Sequence, residues 1–559
     1  MIKNTANKKA FEEIKKNFID FYNDILSNKK YILFVLFFAF VAYGFDLFNA
    51  TISMDDMTFS IFGVEDHYAV RIMRWGIYLI YPFISTKEFS PFINSLFALL
   101  LLLIASALLS FLFYCINGKK KNIFAYTILS SLFVTYPLIN EIWDCSAMSV
   151  NILYNGISFY MCLVIPCAIY LYFVDGFSII STIIAGLILS PVMAGYESVI
   201  ALYVTLVFII IYYKNSNDEY GGKFDWFFDG IRYALPLIIA LVIRIVVGNI
   251  LLVIYDVESA SSLARTSWST KSLLEVIIQI LYNGWYYIVR GLSYFPICEF
   301  VIAVIIYLVI ICLDSKSKKN NMLFGIFILL SVFLLSLVQG DYLYYRLAQT
   351  VQLFVAFVGY LVVDKWNGKY CNIVIIFALL ICLRQSICLH NYLTLNNQRS
   401  ENEAYIARQI GYKIYSEFDK EKTVIFCGEY QLGDFIQQQI IIDEDSLGGR
   451  VESWFREKLG VEQTRKYEEF VFNNINSYFN KQMDAFNGQK LLQKYLSYYG
   501  FDINVLSDLS DEEEDKLKGY YENIAKEEGM NPCGIKDMGD YILVYLGPTI
   551  DNKYKLKYE

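Results

Sequence analysis

Apolar residues fill residues 31–49, 92–116, 123–138, 152–173, 177–193, 199–213, 233–254, 296–313, 322–338, 347–363 and 371–389 in nearly unbroken blocks. Blocks of this kind approach the ~20 residues that a helix needs to cross a bilayer. They predict a polytopic membrane protein of about 11 transmembrane helices. A further apolar stretch, 71–84, is short and bracketed by Arg71, Arg74 and Pro82, which predicts an interfacial or re-entrant helix. Polar breaks between the blocks alternate in character. Lys119, Lys120 and Lys121, the segment 214–232, and Lys316, Lys318 and Lys319 mark one side as cytoplasmic. The N-terminus is then inside, and an odd number of crossings sends the C-terminus outside.

The two ends of the chain break this pattern. In residues 1–30, Phe11, Ile14, Phe18, Phe21 and Ile25 recur at helical spacing among lysines. Either a helix on the cytoplasmic membrane surface or a basic tail accounts for them. The block at 31–49 is too long for a signal-peptide core and has no small-residue cleavage site, so it is expected to remain as an anchor. Beyond residue 390 the chain turns polar and acidic. Runs at 423–427 and 541–545 read as buried strands, and 401–418, 467–479 and 490–499 as helices. The expected fold is an all-α polytopic membrane protein, N-in and C-out, with a small C-terminal extracytoplasmic α/β domain. Its parts are a basic segment 1–30, a membrane domain 31–389 with an outer loop 50–90, and the domain 390–559.

Composition agrees with that pattern: 56% of the 559 residues are hydrophobic and 18% charged, too few charges for an ordinary soluble domain. The net charge of −8 comes with no basic stripe, which argues against nucleic acid as a partner. Most of the 11 cysteines lie within apolar blocks and behave as small hydrophobes. Cys427 and Cys533, in the polar region, are the pair that a disulfide would join. With two histidines, His67 and His390, a histidine-rich metal site is excluded.

Ionisable groups at a membrane edge are costly and therefore point to function. They concentrate at residues 53–75, which hold Asp55, Asp56, Glu65, Asp66, His67, Arg71 and Arg74. A carboxylate from Asp55 or Asp56 suits general-base work on a hydroxyl. Arg71 and Arg74, one turn apart on a helix, suit a phosphate. The Asp pair would also cap a helix beginning near Met57, and Glu65, Asp66 and His67 would cap the next and pair with Arg71. Glu141 and Asp144 stand in a second outer loop, where they are candidates to reach the same cavity. Glu197 interrupts an apolar block, with Arg244 as a candidate partner. Arg346, after Tyr344 and Tyr345, is a further phosphate candidate or else a snorkelling arginine in an aromatic belt.

The ordered motifs Ser53/Asp55/Asp56, Arg74-Trp75-Gly76, Gly195-Tyr196-Glu197-Ser198 and Tyr345-Arg346 resemble the Gtr-type serotype-converting glucosyltransferases of bacteria and phages, in the GT-C superfamily. The resemblance covers most of residues 30–390. It implies an inverting hexosyltransferase that takes glucose from a polyprenyl-phosphate-linked donor and adds it to a surface glycan. The work would take place at the outer face of a bacterial cytoplasmic membrane. Carried over by position, Asp55 or Asp56 would be the base. The residues' own chemistry keeps Arg74 and Arg346, with Arg71, which lies outside the family's core pattern, as candidates for the donor phosphate, and Glu65, Asp66, His67, Glu141, Asp144, Tyr196, Glu197 and Tyr345 as candidates to line the substrate site. A divalent cation, Mg2+ or Mn2+, is the one cofactor that the Asp pair leaves open. A flippase and a polyprenyl-phosphate glycosyltransferase would supply the donor. Glu197 stands where the family's motif has an amide, which leaves room for a changed sugar preference. The rival reading is a non-catalytic lipid-linked glycan translocase or a polysaccharide polymerase partner. Against it, charge gathers at one face instead of along a through-path.

Overall fold

The computed structural model describes residues 3–49, 68–79, 91–136, 156–174, 176–222, 224–259, 268, 271–294, 299–315, 319–340, 347–366, 371–428, 450–451, 453–454, 458, 488–506, 523–524, 526–527, 529–531 and 533–547. They fall into two compact units, one built mainly from residues up to 392 and one mainly from 393 onward.

Among the described residues, every regular element of the first unit is a helix. The unit comprises α1 (Lys3–Phe21), α2 (Lys29–Phe48), a single turn α3 (Tyr68–Arg71), α4 (Pro91–Ile116), α5 (Ile123–Thr135), α6 (Ile157–Phe173), α7 (Ile179–Met193) and α8 (Ser198–Ser216). It continues with α9 (Asp225–Tyr255), α10 (Leu273–Tyr294), α11 (Glu299–Ser315), α12 (Lys319–Ser331), α13 (Leu334–Gln339), α14 (Gln349–Lys365) and the start of α15 (Cys371–Glu417). A backbone in lipid must satisfy its own hydrogen bonds, and the helix does so within one segment. The helices therefore follow the apolar blocks closely.

Among the described residues four helices are long and apolar enough to span a bilayer, or five if the bent pair 7–26 and 29–45 counts as one. Five shorter apolar helices accompany them. The membrane character stands, whereas the expected eleven crossings and their orientation are not carried by these lengths. α5, for example, has 13 residues, about 20 Å of helix against a ~30 Å hydrocarbon core. The block at 322–338 is two helices, α12 and α13, broken at Val332 and Phe333. α9 begins well before its apolar block, at Asp225.

α1 forms as its spacing predicts. Ala10 and Phe21 are buried while Phe11, Phe18 and Ile19 stay exposed, and in the π-helical turn that follows, Tyr22–Leu26, Ile25 is buried and Tyr22 exposed. Phe21 packs on Phe111 and Tyr114 of α4. The chain then bends by 76° into α2. The three consecutive lysines after α4 each take a different acid. Lys119 pairs with Asp20 at 3.0 Å, Lys120 with Asp364 at 3.0 Å and Lys121 with Asp24 at 2.7 Å. Asp364 is buried and also accepts from Asn117. The lysine loop thus ties α1 and α14 to the end of α4.

The second unit begins within α15. The separate helix expected at 401–418 is instead the continuation of a single helix that starts at Cys371. No glycine or proline lies between residues 372 and 410 to interrupt it. Strands β1 (Thr423–Gly428), β2 (Gly534–Asp537) and β3 (Tyr541–Gly547) form a sheet of order β1-β3-β2, with β1 parallel and β2 antiparallel to β3. Helix α16 (Gly488–Tyr498) buries Leu492, Tyr495 and Leu496. Gly411 is a necessary gap in α15, because a Cβ there would lie 2.4 Å from the Phe501 ring. The helix expected at 467–479 lies outside the described residues.

The Cys427–Cys533 disulfide is not formed, and Cys533 is a free thiol. Cys427 and Gly534 sit on opposite sides of Tyr545. Two inter-strand spacings, about 9.5 Å, exceed the reach of a disulfide.

An ion pair closes the edge of this unit. Lys422 Nζ donates to both oxygens of Asp537, at 2.8 and 2.9 Å. The lysine, helped by the Gly539 N–H, holds the Asp537 carboxyl below its ordinary value. A depressed carboxylate contributes stability above its unfolded pKa of about 3.9, and that contribution is lost as pH falls through the folded value. Melting of Asp537→Asn is therefore expected to lie slightly below wild type at pH 7 and to converge with it in acid, once pH has fallen through the lowered folded-state value. High salt narrows the gap, since the pair is exposed. A gap that persisted undiminished in acid would mean that the pair is not its source.

Candidate functional site

The site is built on three elements of the first unit: the turn after α3, the break between α7 and α8, and the middle of α9. α3 ends after one turn because Met73 adopts a left-handed conformation, φ 58°. The Arg74 N–H donates to the Ala69 carbonyl and the Met73 N–H to Val70. These two bonds make the paired helix stop that glycine usually serves. Here the strain is held by packing. Gly248 of α9 leaves open the place where the Met73 sulfur sits, and a Cβ there would come within 2.4 Å of Sδ.

This corrects one expectation. Arg71 and Arg74 do not share a helix face, because the left-handed residue between them redirects the chain. Arg71 remains exposed at the end of α3 and forms no ion pair among the described residues.

From Arg74 onward the turn docks on the α7–α8 break. α7 contains Pro191 and ends at Met193. The Gly76 N–H donates to the Ala194 carbonyl at 2.8 Å, filling an acceptor that the helix end leaves open. Gly76 must be glycine: a Cβ would lie 2.2 Å from the Pro191 oxygen and 2.9 Å from the Ala194 carbonyl carbon. Gly195 must be glycine too, since its Cβ would sit 2.0 Å from the Tyr160 ring and hydroxyl. Two of the segments that carry the resemblance, far apart in the chain, are thus in direct backbone contact.

Their side chains meet around Glu197. Arg74 Nη2 donates to Glu197 Oε2 at 3.4 Å, and Arg244 Nη2 to Oε1 at 2.5 Å. The Arg74 guanidinium lies over the buried Tyr196 ring, 5.5 Å from its centre, a cation–π contact worth about 0.5–2 kcal/mol. Trp75 Nε1 donates to the Arg244 carbonyl at 3.2 Å. Arg244 follows Pro236 and Ala240 and precedes Gly248 at four-residue steps, along the side of α9 that is buried. The expected Glu197–Arg244 pair is therefore present, and Arg74 joins it. Chemically, the cluster offers two forked cations held by one carboxylate beside two aromatic rings.

Asp55, Asp56, Glu65, Asp66, His67, Glu141, Asp144, Tyr345 and Arg346 lie outside the described residues. Among the described residues no three His, Cys, Asp or Glu side chains gather as metal ligands. The sequence pattern did not single out Met73 and Gly248. Nor did it single out Glu299, whose Oε2 accepts from Gln385 at 2.6 Å while Thr135 donates to the Gln385 oxygen at 3.0 Å. A carboxylate opening the apolar block of α11 was the available signal for it.

A family model described as Glucosyl transferase GtrII matches residues 44–363. No curated protein and no solved structure matches the chain. The matched residues make up more than half of the chain and include the docked motifs 71–76 and 195–198 together with Arg244. The chain belongs to the GtrII glucosyl transferase family.

Proposed function

We propose that this membrane glucosyltransferase moves glucose from a polyprenyl-phosphate-linked donor to a cell-surface glycan at the outer face of a bacterial cytoplasmic membrane, with inversion. Asp55 or Asp56 takes the proton of the acceptor hydroxyl as its oxygen bonds to the anomeric carbon. The bond from that carbon to the phosphate oxygen breaks on the opposite face, and polyprenyl phosphate leaves. Arg74, with Arg71 and Arg346, stabilises the charge that develops on it. Tyr345 offers a stacking face to the sugar, Tyr196 backs the Arg74 guanidinium, and Glu65, Asp66, His67, Glu141 and Asp144 offer hydrogen bonds. Mg2+ or Mn2+ on the Asp pair is part of the proposal.

The observation that carries this reading is the Arg74–Glu197–Arg244 cluster at the meeting point of the two family motifs. Among the described residues its two cations share one carboxylate, and such a surplus beside apolar helices suits a phosphate on a lipid.

The test is transfer by the purified full-length protein in detergent, given synthetic polyprenyl-phosphate-glucose or UDP-glucose. Release of glucose from the lipid donor alone, with the product anomer inverted, is expected. Transfer from UDP-glucose alone would remove the lipid donor. Binding of the lipid with no sugar released, across several acceptors, would favour a translocase. An EDTA arm decides the cation.

A further inference from the structure

We infer that Arg244 is a further phosphate-binding arginine, paired with Arg74, and that Glu197 is a positioning residue holding these two guanidinium groups apart until the phosphate arrives. The inference rests on the donor proposed above.

The charge balance is the first ground. Glu197 divides its oxygens, Oε1 to Arg244 and Oε2 to Arg74, so among the described residues one negative charge serves two positive ones. The Arg74, Arg244 and Glu197 side chains retain 22%, 15% and 28% of their exposure, withdrawn from water yet reachable. A surplus cation is costly in such a place without a further anion.

The donors are the second ground. Each arginine gives only Nη2 to Glu197. Among the described residues no other acceptor takes the remaining N–H groups of either one. Two partly used forks facing one carboxylate match a phosphate oxyanion, which takes paired N–H donors from guanidinium groups.

The mounting is the third ground. Arg244 stands on a continuous 31-residue helix. Arg74 stands on a non-helical turn, and its bond to Glu197 is the longer one. The rigid arm fixes the anion, and the arm on the turn closes on it. Tyr196 keeps the Arg74 plane in register while it does so.

Thermal melting of the full-length protein with polyprenyl phosphate, and with polyprenol as the uncharged control, tests this. Wild type is expected to be stabilised by the phosphate lipid and not by the alcohol. Arg244→Gln and Arg74→Gln lose that shift. Arg244→Lys, which still neutralises Glu197 but lacks the fork, folds and loses more than half of the shift. Glu197→Gln shows a larger shift than wild type, because the Glu197 carboxylate no longer competes with the phosphate. Its kcat and KM for the donor both fall, the pattern of lost ground-state restraint.

A wild-type shift in both Arg244 variants would reduce Arg244 to a counter-ion and overturn the inference. A smaller shift in Glu197→Gln would overturn the role given to Glu197. Glucose transfer from the lipid donor alongside a wild-type shift in the Arg244 variants leaves the proposed function and removes this inference. A phosphate-specific shift that needs Arg244, in a protein that releases no glucose, does the reverse.

Discussion

One of the variants Asp55→Asn and Asp56→Asn is expected to lose glucosyl transfer by about 10²-fold or more, with donor binding nearly unchanged. Asparagine keeps the shape and hydrogen-bonding reach of aspartate but cannot take a proton at neutral pH. General-base catalysis is worth about 10²–10⁴-fold, so the base variant loses kcat while its KM holds. The neighbouring aspartate, if it only orients a sugar hydroxyl or a cation, loses less. If the cation is essential, EDTA lowers wild type to the level of the weaker variant. The measurement is single-turnover transfer from polyprenyl-phosphate-glucose. Wild-type rates in both variants would make the pair a helix cap and move the base elsewhere. Glu299, with its neutral Gln385 partner, would be the next carboxylate to replace.

Gly76→Ala is expected to disrupt the site from the backbone outward. The new Cβ would stand 2.2 Å from the Pro191 oxygen, and no rotamer change relieves a clash with backbone. Overpacking of this kind costs about 1–3 kcal/mol, occasionally more. To relieve it the turn must lift from the α7–α8 break, which breaks the Gly76–Ala194 bond and carries Arg74 away from Glu197. A displacement of ~1 Å in a positioning group costs about 10²-fold in rate. Gly195→Ala should act alike, since the Tyr160 ring it meets is fully buried. Gly230→Ala in α9 is the control: its Cβ would have one neighbour, Ile211 at 4.0 Å, and alanine favours the helix. Transfer and melting of all three report the outcome. Wild-type behaviour in Gly76→Ala would mean that the two motifs do not meet through this backbone contact.

Part of the site is legible in the order of residues alone. Glu197 stands out as an acid in an apolar block, and Arg244 is a cation in another such block. Arg74-Trp75-Gly76 and Gly195-Tyr196 stand out through the family resemblance. The geometry that joins them does not. A helix spacing puts Arg71 and Arg74 on one face, but Met73 breaks the helix at a residue that seldom adopts φ > 0. The Met73 side chain then occupies the room left by Gly248, on a helix far along the chain. Likewise, nothing near Cys427 and Cys533 shows that β3 separates them, because strand order is set by the sheet as a whole.

The sequence by itself determined the membrane character, the helical blocks and the lysine-rich loops. A bilayer imposes its demands along one dimension, through the length and polarity of each segment. It also determined strands β1 and β3, through short apolar runs too brief for helices. The tertiary structure decided which polar groups meet: Arg74 and Arg244 on Glu197, the Gly76 N–H on Ala194, and Asp20, Asp24 and Asp364 on three successive lysines. Such pairings depend on close packing of distant segments, where one Cβ more or less decides whether two backbones can touch.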